Sequence, residues 1–182
     1  MKSFILKVIL LCFLIFSCTK NKLPNRKDYT LEDKLKFTNT ILKFYVDDSL
    51  VCNHLSNKLD WTSFESGFYS EEGLLLEKYA VDMKIEDIES QMGSFILNDN
   101  YNEFFPNYRL FEEDIESRSD SIFNLKNNLY YTTLPIFTDN GKFAFVGFSV
   151  ISSLLSGYGE IIVFERKNNK WIEIERKQIW MH

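Results

Sequence analysis

Cys52 and His54 stand two residues apart, the closest approach along the chain of a thiol to an imidazole. A cysteine becomes a nucleophile when a base within hydrogen-bond reach takes its proton and a third group orients that base. In a helix these two side chains would point to different faces, and no third partner is evident nearby. Cys52 therefore reads first as a small buried hydrophobe, with a reactive thiol as the sharper alternative. Ser156-Gly157-Tyr158-Gly159 lacks the preceding glycine of a nucleophile elbow. Asn98, Asp99, Asn100 and Asn102 open like a calcium loop, but Glu103 stands where the glycine is needed and Arg109 where the closing glutamate is needed. Nothing matches a zinc spacing. Glu112 with Glu116, or Glu113 with Asp114, could share acid–base work in a cleft, although a run of like charge is usually a solvated face. No catalytic centre, metal or cofactor is expected.

Cys18 carries a different chemistry. Lys2 and Lys7 give a short cationic start, Val8 to Phe16 is unbroken apolar sequence, and Ser17 stands directly before Cys18. The apolar run is shorter than the roughly 20 residues that span a bilayer. Ile15-Phe16-Ser17-Cys18 resembles the lipobox cut by the signal peptidase of bacterial lipoproteins, with Phe16 bulkier than the small residue usual at its place. That resemblance implies that residues 1–17 are a signal peptide and that Cys18 is acylated, holding the protein to a membrane of the bacterial cell envelope. In some bacteria, acids just after the acylated cysteine resemble a surface-export tag. Thr19-Lys20-Asn21-Lys22 has none, which favours the periplasmic side. Residues 18–29, polar and containing Pro24, read as a tether, and residues 30–182 as one globular domain.

Bulk composition fits that organisation. Cys18 to His182 leaves 165 residues, enough for one core. Apolar content of 45% and aromatic content of 16% argue against wholesale disorder. With Cys18 acylated, Cys52 is the remaining thiol, so no internal disulfide is expected. Charge is uneven: residues 60–120 hold 16 acidic residues against four basic ones, a net charge of −12. There is no basic footprint for nucleic acid. The acidic middle would also repel anionic headgroups, leaving the lipid on Cys18 to do the anchoring.

Periodicity places the elements. Thr30 reads as a helix cap with Asp33 in the capping-box place. Leu31, Leu35, Phe37, Ile41, Leu42, Phe44 and Tyr45 fall on one half of a helical wheel, which predicts a helix over 31–45. Further short helices are predicted from Ser70 through Leu75, Tyr79 and Met83, along Ile85, Ile88, Met92 and Phe95, and from Pro106 to Glu116. From Asn128 the period changes. Leu129 to Phe137 reads as an edge strand because of Pro135. Asn140-Gly141 reads as a type I′ turn, followed by a strand from Phe143 to Ser152. Ser156-Gly157-Tyr158-Gly159 reads as a second turn before a strand from Glu160 to Arg166. Asn168-Asn169 reads as a third turn before a strand from Trp171 to Trp180. In that last strand Ile172 and Ile174 are expected on the dry face. The expected fold class is α+β, with N-terminal helices packed on a C-terminal four-stranded antiparallel β-meander.

The stretch from Leu134-Pro135-Ile136-Phe137 through Asp139-Asn140-Gly141-Lys142 to Lys170-Trp171-Ile172 resembles a domain of uncharacterised bacterial lipoproteins, which implies no particular activity. Two functions lead, a non-enzymatic, lipid-anchored interaction or binding module and a small carboxylate-dependent hydrolase of the envelope, with a purely structural envelope component behind them. For the module, the apolar tip around Leu154, Leu155 and Tyr158 is the candidate docking site, with the acidic middle steering a basic protein partner. The competing role for these residues is closure of the core.

Overall fold

Thr30 and Asp33 close the expected capping box from both ends. The Thr30 N–H donates to Asp33 Oδ2 at 2.9 Å, and the Asp33 N–H donates to Thr30 Oγ1 at 3.2 Å. Two otherwise orphaned donors are thereby satisfied at the start of α1, Leu31–Tyr45. The computed structural model describes residues 25–45, 53–64, 74–111, 128–153 and 156–181. Along α1, Leu35, Phe37, Thr38, Ile41 and Leu42 are buried, whereas Phe44 is 77% exposed. The inward stripe matches the helical period, and Phe44 departs from it.

The expected α+β class does not hold. The chain is mainly β, and its main sheet has seven strands that include parallel pairs. In chain order the strands are β1 (Asn53–Ser56), β2 (Lys58–Leu59), β3 (Phe95–Ile96), β4 (Tyr108–Phe111), β5 (Leu129–Thr132), β6 (Ile136–Phe137), β7 (Phe143–Ser153), β8 (Ser156–Lys167) and β9 (Lys170–Met181). The sheet runs β4-β1-β5-β7-β8-β9, with β6 also on β7, while β2 and β3 pair separately. Among the described residues there are two further short helices, α2 (Leu74–Tyr79) and α3 (Ile85–Glu89), and 3-10 turns at Arg26–Asp28 and Asp99–Phe104.

Parallel pairing is the origin of the error. Leu55 in β1 lies opposite Leu110 of β4 on one side and Tyr130 of β5 on the other, both parallel. Residues expected in a helix from Pro106 are therefore the edge strand β4. Aromatic Tyr108 and Phe111 suit a pleated surface, and Pro106 ends the preceding 3-10 turn. Pro135 does not make an edge either. It breaks the stretch into β5 and β6, and β5 sits inside the sheet between β1 and β7. The free side of β6 is closed by Gln91, whose amide exchanges two hydrogen bonds of 3.1 Å with the Phe137 backbone.

Turn chemistry also moved. Asn168 and Asn169, with φ of 51° and 61°, form the left-handed pair between paired Lys167 and Lys170. At the earlier turn only Gly141 has positive φ, so that turn is not type I′. It is held by the Gly141 N–H on the Thr138 carbonyl at 2.8 Å and by the Thr138 hydroxyl on Asn140. Gly157 and Gly159 lie in β8 rather than in a turn. The Trp180 indole occupies the space that a β-carbon on Gly159 would fill, and the Val150 carbonyl that of one on Gly157.

Both faces of the sheet are covered. Ala144, Val146, Phe148 and Val150 join Leu35, Phe37, Ile41 and Leu42 of α1 in one core. Phe145, Ile161 and Val163 join Trp61, Phe64, Leu75 and Ile88 in a second. That double cover explains why β7 is buried without interruption from Ala144 to Val150. Each such side chain contributes about 1.5–3 kcal/mol of transfer free energy. Arg26 fastens the start of the described chain by pairing with Asp87 at 2.5 Å and Asp139 at 2.7 Å. Beside it the Tyr29 ring stacks on Phe137 at 3.8 Å.

Candidate functional site: an aromatic groove between the first helix and the last strand

Trp171 is where the last strand departs most from simple alternation. Val163 pairs with Glu175 and Phe164 with Glu173, so Ile174 is an extra residue in β9. A bulge of this kind shifts which side chains face inward. Ile174 packs on the second core, Trp171 packs on the first, and Ile172 is left 47% exposed. The expectation that Ile172 shares a dry face with Ile174 is thus corrected.

The inward-turned Trp171 meets Phe37 edge-on at 5.2 Å and tilts against Phe137 at 5.6 Å. Phe37 also meets Phe164 edge-on at 5.5 Å. These rings form the floor of a groove between α1 and the start of β9. One section has a volume of about 470 Å³ and is lined by Tyr29, Phe37, Ile41, Phe44, Arg166 and Trp171 among others. A second section, about 420 Å³, continues from Phe44, Phe164 and Trp171 to Ile172 and Glu173. Phe44 stands exposed on the helix rim and Ile172 on the strand rim.

Arg166 lies at the first section. Its Nη1 donates to the Tyr29 hydroxyl at 2.7 Å, and its guanidinium sits 5.8 Å from the Trp171 ring centre. Its Nε is shielded from water and has no hydrogen-bond partner among the described residues. Burial pushes the Tyr29 phenol above its ordinary value, with Arg166 working against that rise. Among the described residues no carboxylate pairs with Arg166.

At the other end the charges are closed on themselves. Arg176 makes a two-pronged bond to Glu173 at 3.1 Å on each arm and reaches the buried Glu160 at 3.0 Å. The Tyr45 hydroxyl also donates to Glu173. Burial raises the Glu160 carboxyl above its usual range despite Arg176 beside it. For Glu173 burial works upward too, but the bonds from Arg176 and Tyr45 outweigh it and the carboxyl lies below that range.

The residues singled out in the sequence are not assembled there. His54 is half-buried in β1, its Nδ1 has no partner among the described residues, and its ring lies edge-on to Phe111 at 6.4 Å. Burial, and then Arg109, lower its pKa. Cys52, Cys18, Leu154, Leu155, His182 and the carboxylates Glu112, Glu113, Asp114 and Glu116 lie outside the described residues. Tyr158 is half-buried and packs toward Phe148 at 6.4 Å. Glu77, Asp82, Glu86, Glu89 and Glu103 of the acidic middle are exposed. Among the described residues no group of acids, histidines or cysteines has the geometry of a metal site, and no helix is long and apolar enough to cross a membrane. A small polar cavity of about 200 Å³ near Ser56, Asp60 and Thr132 contains Lys58, but Lys58 is paired to Asp60 at 2.6 Å.

No family model, curated protein or solved structure matches the chain. The groove must speak for itself. Large side chains at Phe44 and Trp171 are its trace in the sequence, and the bulge in β9 is not.

Proposed function

We propose that the protein is a lipid-anchored binding module of the bacterial cell envelope, without catalysis of its own, whose working surface is the groove between α1 and β9. The acyl chains on Cys18 fix it to the membrane, since two or more such chains give stable anchoring. The observation that carries the binding role is the pair of exposed rims, Phe44 and Ile172, over a floor of Phe164 and Trp171. Large apolar side chains left in water over a concave aromatic floor are the ordinary make-up of a recognition site. The module is favoured over a carboxylate hydrolase because, among the described residues, the acids near the core are tied to cations. Glu160 and Glu173 pair with Arg176, Glu175 with Lys78, and Asp87 and Asp139 with Arg26.

The test places a photoreactive phenylalanine analogue at Phe44 in the full chain within its own envelope, with Val81, an equally exposed apolar residue, as control. A discrete adduct at position 44 and none at 81 is expected. Equal, diffuse labelling at both would remove the groove from the account. Labelled palmitate that enters Cys18→Ser as well as the parent would remove the anchor.

A further inference from the structure

We infer that the groove takes a single-chain anionic amphiphile, its apolar chain laid along Phe44, Phe164 and Ile172 and its carboxylate or phosphate head held by Arg166 and Lys170. This rests on reading the groove as the binding surface and names what occupies it.

Shape comes first. The two sections share Phe44, Phe164 and Trp171, so the site is elongated rather than round. Each lies within the size range of small-molecule sites. Polarity along that length is the second argument. Arg166, Lys170 and Lys36 line the first section against one carboxylate, Asp33, so it is positive on balance, whereas Glu173 bounds the second. A ligand with one charged end therefore has one favoured direction, anion toward Arg166.

The state of Arg166 is the third. Among the described residues, the arginines that reach buried carboxylates or the core are matched: Arg26 by Asp87 and Asp139, Arg176 by Glu160 and Glu173. Arg166 has the neutral Tyr29 hydroxyl on Nη1 and, among the described residues, no partner on Nε. A partly desolvated cation without a counter-ion is costly unless an anion completes it. The neighbouring acids are already engaged. Glu165 pairs with Lys142 and Lys167, and Asp33 is held by Thr30 in the helix cap. Lys36 is likewise matched by Glu32. Among the described residues, Arg166 and Lys170 are thus the unmatched positive charge on the groove. Guanidinium groups suit carboxylate and phosphate heads because their donors match paired oxygens.

The experiment titrates the full chain carrying Cys18→Ser, which removes its own acyl groups, with dodecanoate and with dodecyl phosphate below their micelle concentrations. Dodecanol and dodecyltrimethylammonium serve as neutral and cationic controls. Binding is read by calorimetry and by tryptophan fluorescence. Saturable one-to-one binding of an anion is expected, weakened by added salt, with the controls at least about tenfold weaker, as for loss of a charge-assisted hydrogen bond. The tighter of the two anions identifies the head. Arg166→Met should weaken binding about tenfold or more, and Lys170→Met by less. Lys170 is exposed, so its variant keeps the test valid if Arg166→Met fails to fold. Equal affinity for dodecanol, or anion binding indifferent to salt and to Lys170→Met, would overturn the inference. A position-44 adduct with a protein, together with no amphiphile binding, would overturn it while leaving the binding surface in place.

Discussion

Arg176 donates through Nη1 to both oxygens of Glu160, at 3.0 and 3.4 Å, and the Glu160 side chain is only 5% exposed. Taking away one partner of such a pair strands the other as an uncompensated buried charge. Arg176→Met is therefore expected to cost about 3 kcal/mol of stability. Denaturant unfolding with an unchanged slope checks this, and a loss near zero would mean that Glu160 finds water or another donor.

Glu160 also sets a pH dependence with an unusual sign. Its folded pKa is raised by burial. Its contribution to stability is then fully present below the unfolded carboxylate value, about 4.3, and is lost as pH rises through the folded value. The parent should gain stability relative to Glu160→Gln as pH falls from neutral toward 4.3. Melting temperatures of the two proteins across that range measure it, and the opposite trend would show that Arg176 outweighs burial.

The helix cap gives the ordinary sign. Hydrogen bonds from the Thr30 side chain and backbone lower the Asp33 pKa, so its contribution is present above the usual carboxylate range and fades as pH falls through the folded value. Thr30→Ala should cost about 1 kcal/mol and flatten that low-pH dependence. Circular dichroism of thermal unfolding reads both effects.

Helix α1 was legible because its information is local: a cap three residues from its acid, and a stripe at helical period. The long β7 was legible for the same reason. Strands β1 and β4 were not. Each has four residues, and each gains its place from parallel partners distant in the sequence, which no local period records. The groove was half legible. Phe44 and Trp171 are visible as large side chains, but Phe44 shares the apolar half of its helical wheel and is exposed nonetheless, and in β9 a one-residue bulge upsets the alternation from which inward positions are read. Arg166 gave no signal, since lack of a counter-ion is a property of three-dimensional neighbours.

Gly159 supplies a packing prediction. The Trp180 indole lies where its β-carbon would sit, so Gly159→Ala should cost about 1–3 kcal/mol through overpacking. Trp180→Leu in the same chain should recover part of that loss, a non-additivity expected of residues in contact. Strict additivity in a double-mutant cycle would dissociate the two.

Phe37 and Phe44 sit on the same helix and should separate stability from binding. Phe37 is buried among Phe137, Phe164 and Trp171, and Phe37→Ala should cost about 3–5 kcal/mol. Phe44 is exposed, and Phe44→Ser should change stability by no more than about 0.5 kcal/mol. It should nonetheless weaken any ligand that lies in the groove. Paired unfolding and titration of the two variants decide it.

The most direct measurement of the groove as the working site is a heteronuclear NMR titration of the full Cys18→Ser chain with dodecanoate. Resonances of Phe44, Phe164, Arg166, Trp171 and Ile172 are expected to shift together and saturate, while Trp61 and Phe64, in the core on the opposite face of the sheet, stay fixed. Shifts confined to other surfaces, or none at saturating ligand, would contradict a ligand site between α1 and β9.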